Sequence, residues 1–120
     1  MRGLTDITTL AVGIALSVTG CSSQNLTREE VPPCIKQVIE QMQAENVRNP
    51  PGSVWQYRYN GQTVYYIPAY CCDLPSQLLD SACNLICSPD GGYTGAGDGR
   101  CVDFFERRQN EKLIWQDSRK

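Results

Sequence analysis

Apolar and polar residues alternate along residues 54–67, and Asn60-Gly61 interrupts the alternation. A period of two is typical of half-buried strands, and Asn-Gly favours a two-residue type I′ turn. The segment therefore predicts an antiparallel β-hairpin with Tyr57 opposite Val64. We expect a helix to cover the face of this hairpin that carries its apolar side chains, which are Trp55, Tyr57, Val64 and Tyr66.

The residues before the hairpin predict an amphipathic helix, because apolar side chains recur at positions i, i+3, i+4 and i+7. These side chains are Ile35, Val38, Ile39 and Met42, and those expected to face water are Lys36, Glu40, Gln43 and Glu45. Pro33 suits the first turn of a helix, and Asn49-Pro50-Pro51-Gly52 enforces a loop after it. Cys34 lies one turn before Val38, so a disulfide from Cys34 would tie the helix to the core.

After the hairpin, the periodicity of apolar and polar residues is weaker. Residues 73–80 predict a loop or a short helical turn, and residues 84–87 form a short apolar run that indicates a third strand beside the second. If that strand forms, a bond between Cys72 and Cys83 closes the second hairpin across its loop. A bond between Cys83 and Cys87 requires a helix instead, because along a strand the two residues lie about 13 Å apart.

The C-terminal part predicts a short helix and a last strand. Asp103 and Glu106 have the spacing of an N-cap with a reciprocal glutamate, which indicates a helix to about Gln109. A strand follows, with Leu113 and Trp115 on one face. Together the elements predict an α+β fold, in which the N-terminal helix packs on an antiparallel β-meander of three to four strands and a short C-terminal helix follows.

The first 20 residues differ from the rest of the chain. Residues 7–20 form an apolar run of about 14 residues, shorter than the roughly 20 that a membrane-spanning helix needs. The run ends in Gly20-Cys21, which resembles the lipobox of bacterial lipoproteins, where the peptide is cleaved before a cysteine that is then acylated. We therefore predict a lipoprotein signal peptide at residues 1–20 and a lipid on Cys21. The alternative is a short buried helix followed by an incidental cysteine.

This interpretation sets the expected domain organisation and location. Residues 21–32 predict a lipidated tether, and residues 33–120 predict one disulfide-rich α+β domain. We expect an exported protein that the lipid on Cys21 anchors in the cell envelope, and Ser22 is compatible with sorting to the outer membrane. The expected partners are the membrane and an envelope protein or glycan.

The chain contains seven cysteines, of which Cys21 is assigned to lipidation. An even number of cysteines in an exported chain of about 100 residues predicts three disulfides, with fifteen possible connectivities. Bonding Cys71 to the adjacent Cys72 would strain the peptide between them, so we expect distant partners for both. No CxxC spacing occurs, which disfavours a zinc–thiolate site. The predicted disulfide cysteines are Cys34, Cys71, Cys72, Cys83, Cys87 and Cys101.

The composition excludes several classes of function, because the chain lacks histidine and an excess of basic residues. It contains no histidine, the commonest general base and metal ligand, so Ser-His and Cys-His catalytic pairs are excluded. Eleven basic and thirteen acidic residues give a net charge of −2, without the clustered basic surface that nucleic acid requires. We expect no catalytic residue, no cofactor and no nucleic-acid partner, and interpret the chain as a non-catalytic binding or structural module.

Residues 90–99, called the glycine loop below, contain five glycines and are predicted to be neither helix nor strand. Cys87 and Cys101 bracket the loop, and we expect bridges to the body of the domain to hold both ends. A loop of this kind presents polar groups from a rigid frame, which suits recognition. The alternative is that the glycines only permit a tight connection. The candidate binding residues are Asp90, Tyr93, Asp98 and Arg100.

Three other functions remain open at this point. A calcium site would use Asp90, Asp98 and Asp103, although the spacing is not that of an EF-hand and Asp-Gly turns with a helix cap explain the same residues. A small hydrolase built on carboxylates needs no histidine. The third is a protease inhibitor. The segment from Cys87 to Thr94 faintly resembles the core of Kazal domains, but the other cysteine spacings of the chain differ from those of Kazal domains.

A longer set of residues carries a family resemblance. The set comprises Tyr65-Tyr66, Cys71-Cys72-Asp73, Asp80, Asn84-x-Ile86-Cys87-x-Pro89-Asp90-Gly91-Gly92, Thr94-Gly95, Gly97-Asp98-Gly99, Cys101, Asp103-Phe104 and Leu113-Ile114-Trp115. The pattern resembles small lipoproteins typical of Bacteroidota that share a domain of unknown function, DUF6970, over roughly residues 33–120. The resemblance implies an exported lipoprotein and no known activity, so it assigns no catalytic residue.

Overall fold

The structure, a computed structural model, describes residues 30–71 and 73–119. The predicted signal peptide, Cys21 and Cys72 lie outside the described residues. The elements are α1 (Pro33–Ala44), β1 (Ser53–Tyr59), β2 (Gln62–Ile67), β3 (Gln77–Leu79), β4 (Leu85–Cys87), α2 (Phe104–Arg107) and β5 (Gln109–Gln116). Within the described part of the chain, no helix is long and apolar enough to cross a membrane.

The strands form one antiparallel sheet in the order β4-β3-β2-β1-β5. The predicted α+β class is confirmed, with five strands in place of three to four. In the hairpin of β1 and β2, Tyr57 lies opposite Val64, and Asn60 and Gly61 have φ angles of 50° and 80° as a type I′ turn requires. The register of the hairpin is therefore as predicted.

Helix α1 covers the face of the hairpin opposite to the one that carries Trp55 and Tyr66. Its Ile35 and Met42 are buried in a cluster with four side chains of the sheet, which are Val54, Tyr65, Ile67 and Leu79. The face with Trp55 and Tyr66 packs instead against Phe104, at the start of α2. A helix therefore covers the expected face, but that helix is the short α2, and α1 covers the other face because β2 is buried on both sides at residues 64–67.

Two expectations were wrong in the middle of the chain. Residues 73–80 include β3, which pairs with β2, so residues 85–87 form a fourth strand beside β3 and not a third beside β2. Three residues are too few to show a period of two, which explains why the pattern missed β3.

The last strand also departs from the prediction. Trp115 pairs with Val54 and Leu113 pairs with Trp55, with a register shift between the two pairs. Since Val54 and Trp55 point to opposite faces, Leu113 and Trp115 do so as well, and the prediction that they share a face was wrong. Helix α2 starts after Asp103 as predicted, but the Asp103 side chain makes no capping hydrogen bond to it, and the helix ends at Arg107, before Gln109.

The C-terminal residues hold the end of α1. Arg119 donates hydrogen bonds to the carbonyl oxygens of Gln43 at 3.0 Å and Met42 at 3.2 Å, which lie in the last turn of the helix. Asp117 orients the same guanidinium through a contact of 2.7 Å. The hydrogen bonds from Arg119 lower the pKa of Asp117 to about 2.

This contact predicts a pH dependence of stability. The pKa of Asp117 is lower in the folded protein than its ordinary value of 3.8, so the contact stabilises the fold fully above about pH 4 and is lost as the pH falls through about 2. We expect Asp117→Asn to lower the free energy of unfolding most above pH 4, with the difference from the parent shrinking towards pH 2. Urea unfolding across this range measures it, with Glu40→Gln, an exposed change on α1, as the control. A difference that does not depend on pH would contradict the prediction.

Candidate functional site

The glycine loop is closed by a disulfide at its base. Cys87 and Cys101 bond to each other across a sequence separation of 14, and both are buried. We expected two bridges to the body of the domain, and the structure shows one bond between the two ends. The bond converts the segment into a closed ring on the aromatic side of the sheet.

The second described disulfide joins Cys34 to Cys83 and ties α1 to the sheet, as predicted for Cys34. It also shows that the suggested bonds from Cys83 to Cys72 and to Cys87 were wrong. Cys71 is disulfide-bonded as well. The four paired cysteines leave Cys21 as the one distant cysteine in the chain, so the expectation of distant partners for both Cys71 and Cys72 was wrong.

The loop is ordered by hydrogen bonds within its own backbone. The N–H of Gly97 donates to the carbonyl of Gly91 at 3.0 Å, and the N–H of Asp98 donates to the carbonyl of Ser88 at 2.9 Å. Gly97 has a φ of +74°, and a Cβ there would lie 1.9 Å from the carbonyl oxygen of Ser88. Only glycine fits this close approach, so the loop has a defined shape.

Asp90, predicted as a binding residue, points into the fold. The hydroxyl of Tyr66 donates to Asp90 Oδ1 at 2.8 Å, and the backbone of Asp90 exchanges hydrogen bonds with the buried Ser76. Burial and the bond to Asp90 raise the pKa of Tyr66 above its ordinary value. Asp90 therefore anchors the start of the loop to the sheet.

Asp98 and Arg100, both predicted as binding residues, are brought together at the end of the loop. Arg100 Nε donates to Asp98 Oδ2 at 2.9 Å, and the same oxygen accepts the N–H of Ser88 at 3.0 Å. The backbone N–H of Arg100, with these contacts, holds the pKa of Asp98 below its usual range. The carboxylate fixes the loop, and the guanidinium is partly exposed beside it.

Tyr93 is the predicted binding residue that the structure presents to solvent. It lies at the tip of the loop with 90% of its surface exposed. The turn around it is closed by hydrogen bonds from the N–H of Gly95 to the carbonyl of Gly92 and from the N–H of Ala96 to Thr94 Oγ1. An exposed aromatic ring thus stands on a backbone that is held in place.

The three proposed calcium ligands do not converge. Asp90 accepts from Tyr66 and Asp98 from Arg100, while Asp103 accepts from the hydroxyl of Tyr59 at 2.5 Å. Among the described residues, no group of three or more His, Cys, Asp or Glu side chains is placed to hold a metal ion. The calcium hypothesis does not fit this geometry, because each carboxylate serves a separate structural contact.

Three tyrosine–carboxylate pairs surround Phe104, and the sequence did not predict them. The rings of Tyr57, Tyr59 and Tyr66 lie 5.4, 5.3 and 5.6 Å from the ring of Phe104. Each hydroxyl donates to a carboxylate, and burial with the bond to Glu111 raises the pKa of Tyr57 to about 12. The alternation of β1 did indicate that its tyrosines share a face, but the carboxylate partners lie far along the chain, on β5, before α2 and in the glycine loop.

Comparison with known proteins gives one match. The model of a domain of unknown function, DUF6970, matches residues 40–117. The searches among curated proteins and among solved structures each found no match. The matched residues include the whole sheet and the glycine loop. They also include the cysteines of both described disulfide bonds, apart from Cys34. The chain belongs to the DUF6970 family.

Proposed function

We propose that this protein is an exported, lipid-anchored domain of the cell envelope that binds a partner through the glycine loop and catalyses no reaction. The observation that carries the proposal is Tyr93, an almost fully exposed ring at the tip of a disulfide-closed and hydrogen-bonded loop. Tyrosine is enriched at binding hot spots, and an ordered loop loses little conformational entropy when it binds.

Export is supported by the cysteines and by the N-terminal pattern. The described disulfides link α1 to the sheet and close the glycine loop, and structural disulfides persist mainly in oxidising compartments. The apolar run that ends in Gly20-Cys21 supplies the lipid attachment site of the proposal, and residues 21–32 are its tether. Ser22 is compatible with an outer-membrane location.

The proposal includes no catalysis, because the charged side chains of the glycine loop are engaged in hydrogen bonds that hold the fold together. Asp90 and Asp98 both accept hydrogen bonds from groups of the fold, and Arg100 is paired with Asp98. The chain has no histidine to act as a base beside them. Recognition by shape and by one aromatic ring is what this arrangement supports.

The proposal is tested by photo-crosslinking in the intact envelope. A photoreactive amino acid in place of Ala96, an exposed residue of the same turn, is expected to form a discrete adduct with the partner. Adding Tyr93→Ala is expected to reduce that adduct at least tenfold, because a hot-spot side chain contributes about 2 kcal/mol or more to binding and about 1.4 kcal/mol corresponds to tenfold. The same probe in place of Lys36, exposed on α1, is the control and is expected to give no such adduct.

Two outcomes would overturn the proposed binding surface. One is an adduct from the probe at residue 96 that persists at the same yield with Tyr93→Ala. The other is the same adduct from the control position, which would indicate random proximity in the envelope.

A further inference from the structure

A second concave surface lies on the helix side of the sheet, where α1 ends. It consists of three adjoining cavities of about 320, 490 and 230 Å³, and Arg48 lines all three. We call this surface the Arg48 groove. Its first cavity lies against α1, β2 and β3, and Tyr70 lines both of the other two. The glycine loop contributes no lining residue to it.

The centre of the groove carries no net charge. The guanidinium of Arg48 lies 4.0 Å from the centre of the Tyr70 ring and donates to Glu45 Oε1 at 2.9 Å. The carboxylate therefore compensates the one cation, and the stacking holds both the guanidinium and the ring in place. Such a centre favours neither an anionic nor a cationic ligand.

Side-chain amides line the groove around this centre. Gln41 and Gln77 belong to the first cavity, and Asn46 and Asn49 to the second. Within residues 30–71 and 73–119, these four side chains make no hydrogen bond to the protein. Each amide both donates and accepts, so the groove offers paired donors and acceptors to a ligand.

An apolar floor lies below the amides. Met42, Ile67 and Leu79 are buried and line the first cavity, and the Tyr70 ring is 38% exposed beside it. Concave sites that combine an apolar floor with a few convergent polar groups are typical of ligand-binding sites. The aromatic ring adds a flat apolar surface with a polar end.

We propose that the Arg48 groove binds an uncharged carbohydrate chain. A sugar hydroxyl donates and accepts like the amides that line the groove, and the C–H face of a sugar ring packs on an aromatic or apolar surface. A peptide commonly adds a strand to a sheet edge, and no residue of the edge strands β4 and β5 lines the Arg48 groove. The inference concerns a different surface from the glycine loop and does not depend on it.

The test is a titration of the ¹⁵N-labelled full chain in detergent micelles, observed through its side-chain amide resonances. The probes are neutral oligomers of N-acetylglucosamine and neutral oligomers of glucose. At least one series is expected to shift the resonances of Gln41, Asn46, Asn49 and Gln77 and to leave Gln43, on the same helix, unchanged. The two series distinguish the sources of a neutral glycan.

Variants relate the shifts to the groove. Tyr70→Ala and Gln41→Ala are each expected to weaken the binding about tenfold, which corresponds to about 1.4 kcal/mol. Gln41 is exposed on α1, so its variant keeps the fold even if Tyr70→Ala does not. Gln43→Ala, which changes an exposed glutamine of the same helix outside the groove, is the matched control and is expected to bind as the parent does.

Three results would overturn the inference. The first is the absence of shifts with every neutral oligosaccharide at millimolar concentration. The second is an affinity that Gln41→Ala leaves unchanged. The third is stronger binding of charged oligosaccharides or of unstructured peptides than of neutral glycans. None of these results affects the crosslinking expected at the glycine loop, so the two proposals fail separately.

Discussion

The Gly97→Ala variant is expected to lose more than about 4 kcal/mol of the free energy of unfolding, or to fail to fold. A Cβ at this position would lie 1.9 Å from the carbonyl oxygen of Ser88 and 2.6 Å from the carbonyl carbon of Pro89. Both neighbours are backbone atoms, and the Ser88 carbonyl is also bonded to the N–H of Asp98, so they cannot move away without breaking the loop. The φ of +74° adds to the cost.

The Gly99→Ala variant provides the matched control. Gly99 has a φ of +80° in the same loop, but a Cβ there would meet nothing within 4 Å. Its cost is expected to be that of the left-handed backbone alone, about 1–2 kcal/mol. Urea unfolding of both variants separates close packing from backbone strain. Equal losses at the two positions would show that the loop is not packed as described.

The Phe104→Ala variant is expected to lose about 3–5 kcal/mol of the free energy of unfolding. Phe104 is fully buried, and its ring contacts four other rings, those of Tyr57, Tyr59, Tyr66 and Phe105. Alanine would leave a cavity between the sheet and the segment that covers its aromatic face. The three tyrosine–carboxylate hydrogen bonds around this ring would lose the packing that aligns them.

Val102→Ala is the control for that substitution. Val102 lies two residues before Phe104 and is 79% exposed, so its truncation is expected to change stability by less than about 0.5 kcal/mol. Thermal or urea unfolding measures both variants. A loss of less than about 1 kcal/mol for Phe104→Ala would mean that the segment 101–107 does not pack on the sheet.

Much of the fold follows from periodicity where the elements are long. Helix α1 and the hairpin of β1 and β2 span enough residues for their periods to show, and Asn60-Gly61 sets the register between the strands. Strand β3 has three residues and therefore no visible period. The bulge that sends Leu113 and Trp115 to opposite faces depends on the pairing of β5 with β1, which no local pattern encodes.

The glycines located the candidate site in the sequence, but they did not predict which side chains of the loop face solvent. Five glycines and two flanking cysteines predicted an irregular, fixed loop, and the structure shows one. Whether a side chain in such a loop points inward depends on partners far along the chain. Asp90 turns inward because Tyr66 and Ser76 bond it, and Tyr93 has no such partner among the described contacts. The pairing of Cys87 with Cys101 occurs in three of the fifteen connectivities that spacing alone leaves open.

The intact mass of the protein extracted from its native membrane tests the central claim most directly. We expect the mass of a chain that begins at Cys21 and carries lipid on that residue. The six cysteines other than Cys21 are expected to form three disulfides, so the mass is expected to lie six hydrogens below that of the reduced chain. Alkylation is expected to label these six thiols only after reduction. A Cys21→Ala variant is expected to leave the membrane fraction or to remain unprocessed. An uncleaved chain without lipid, or thiols that alkylate before reduction, would contradict the account of an exported, lipid-anchored and disulfide-closed domain.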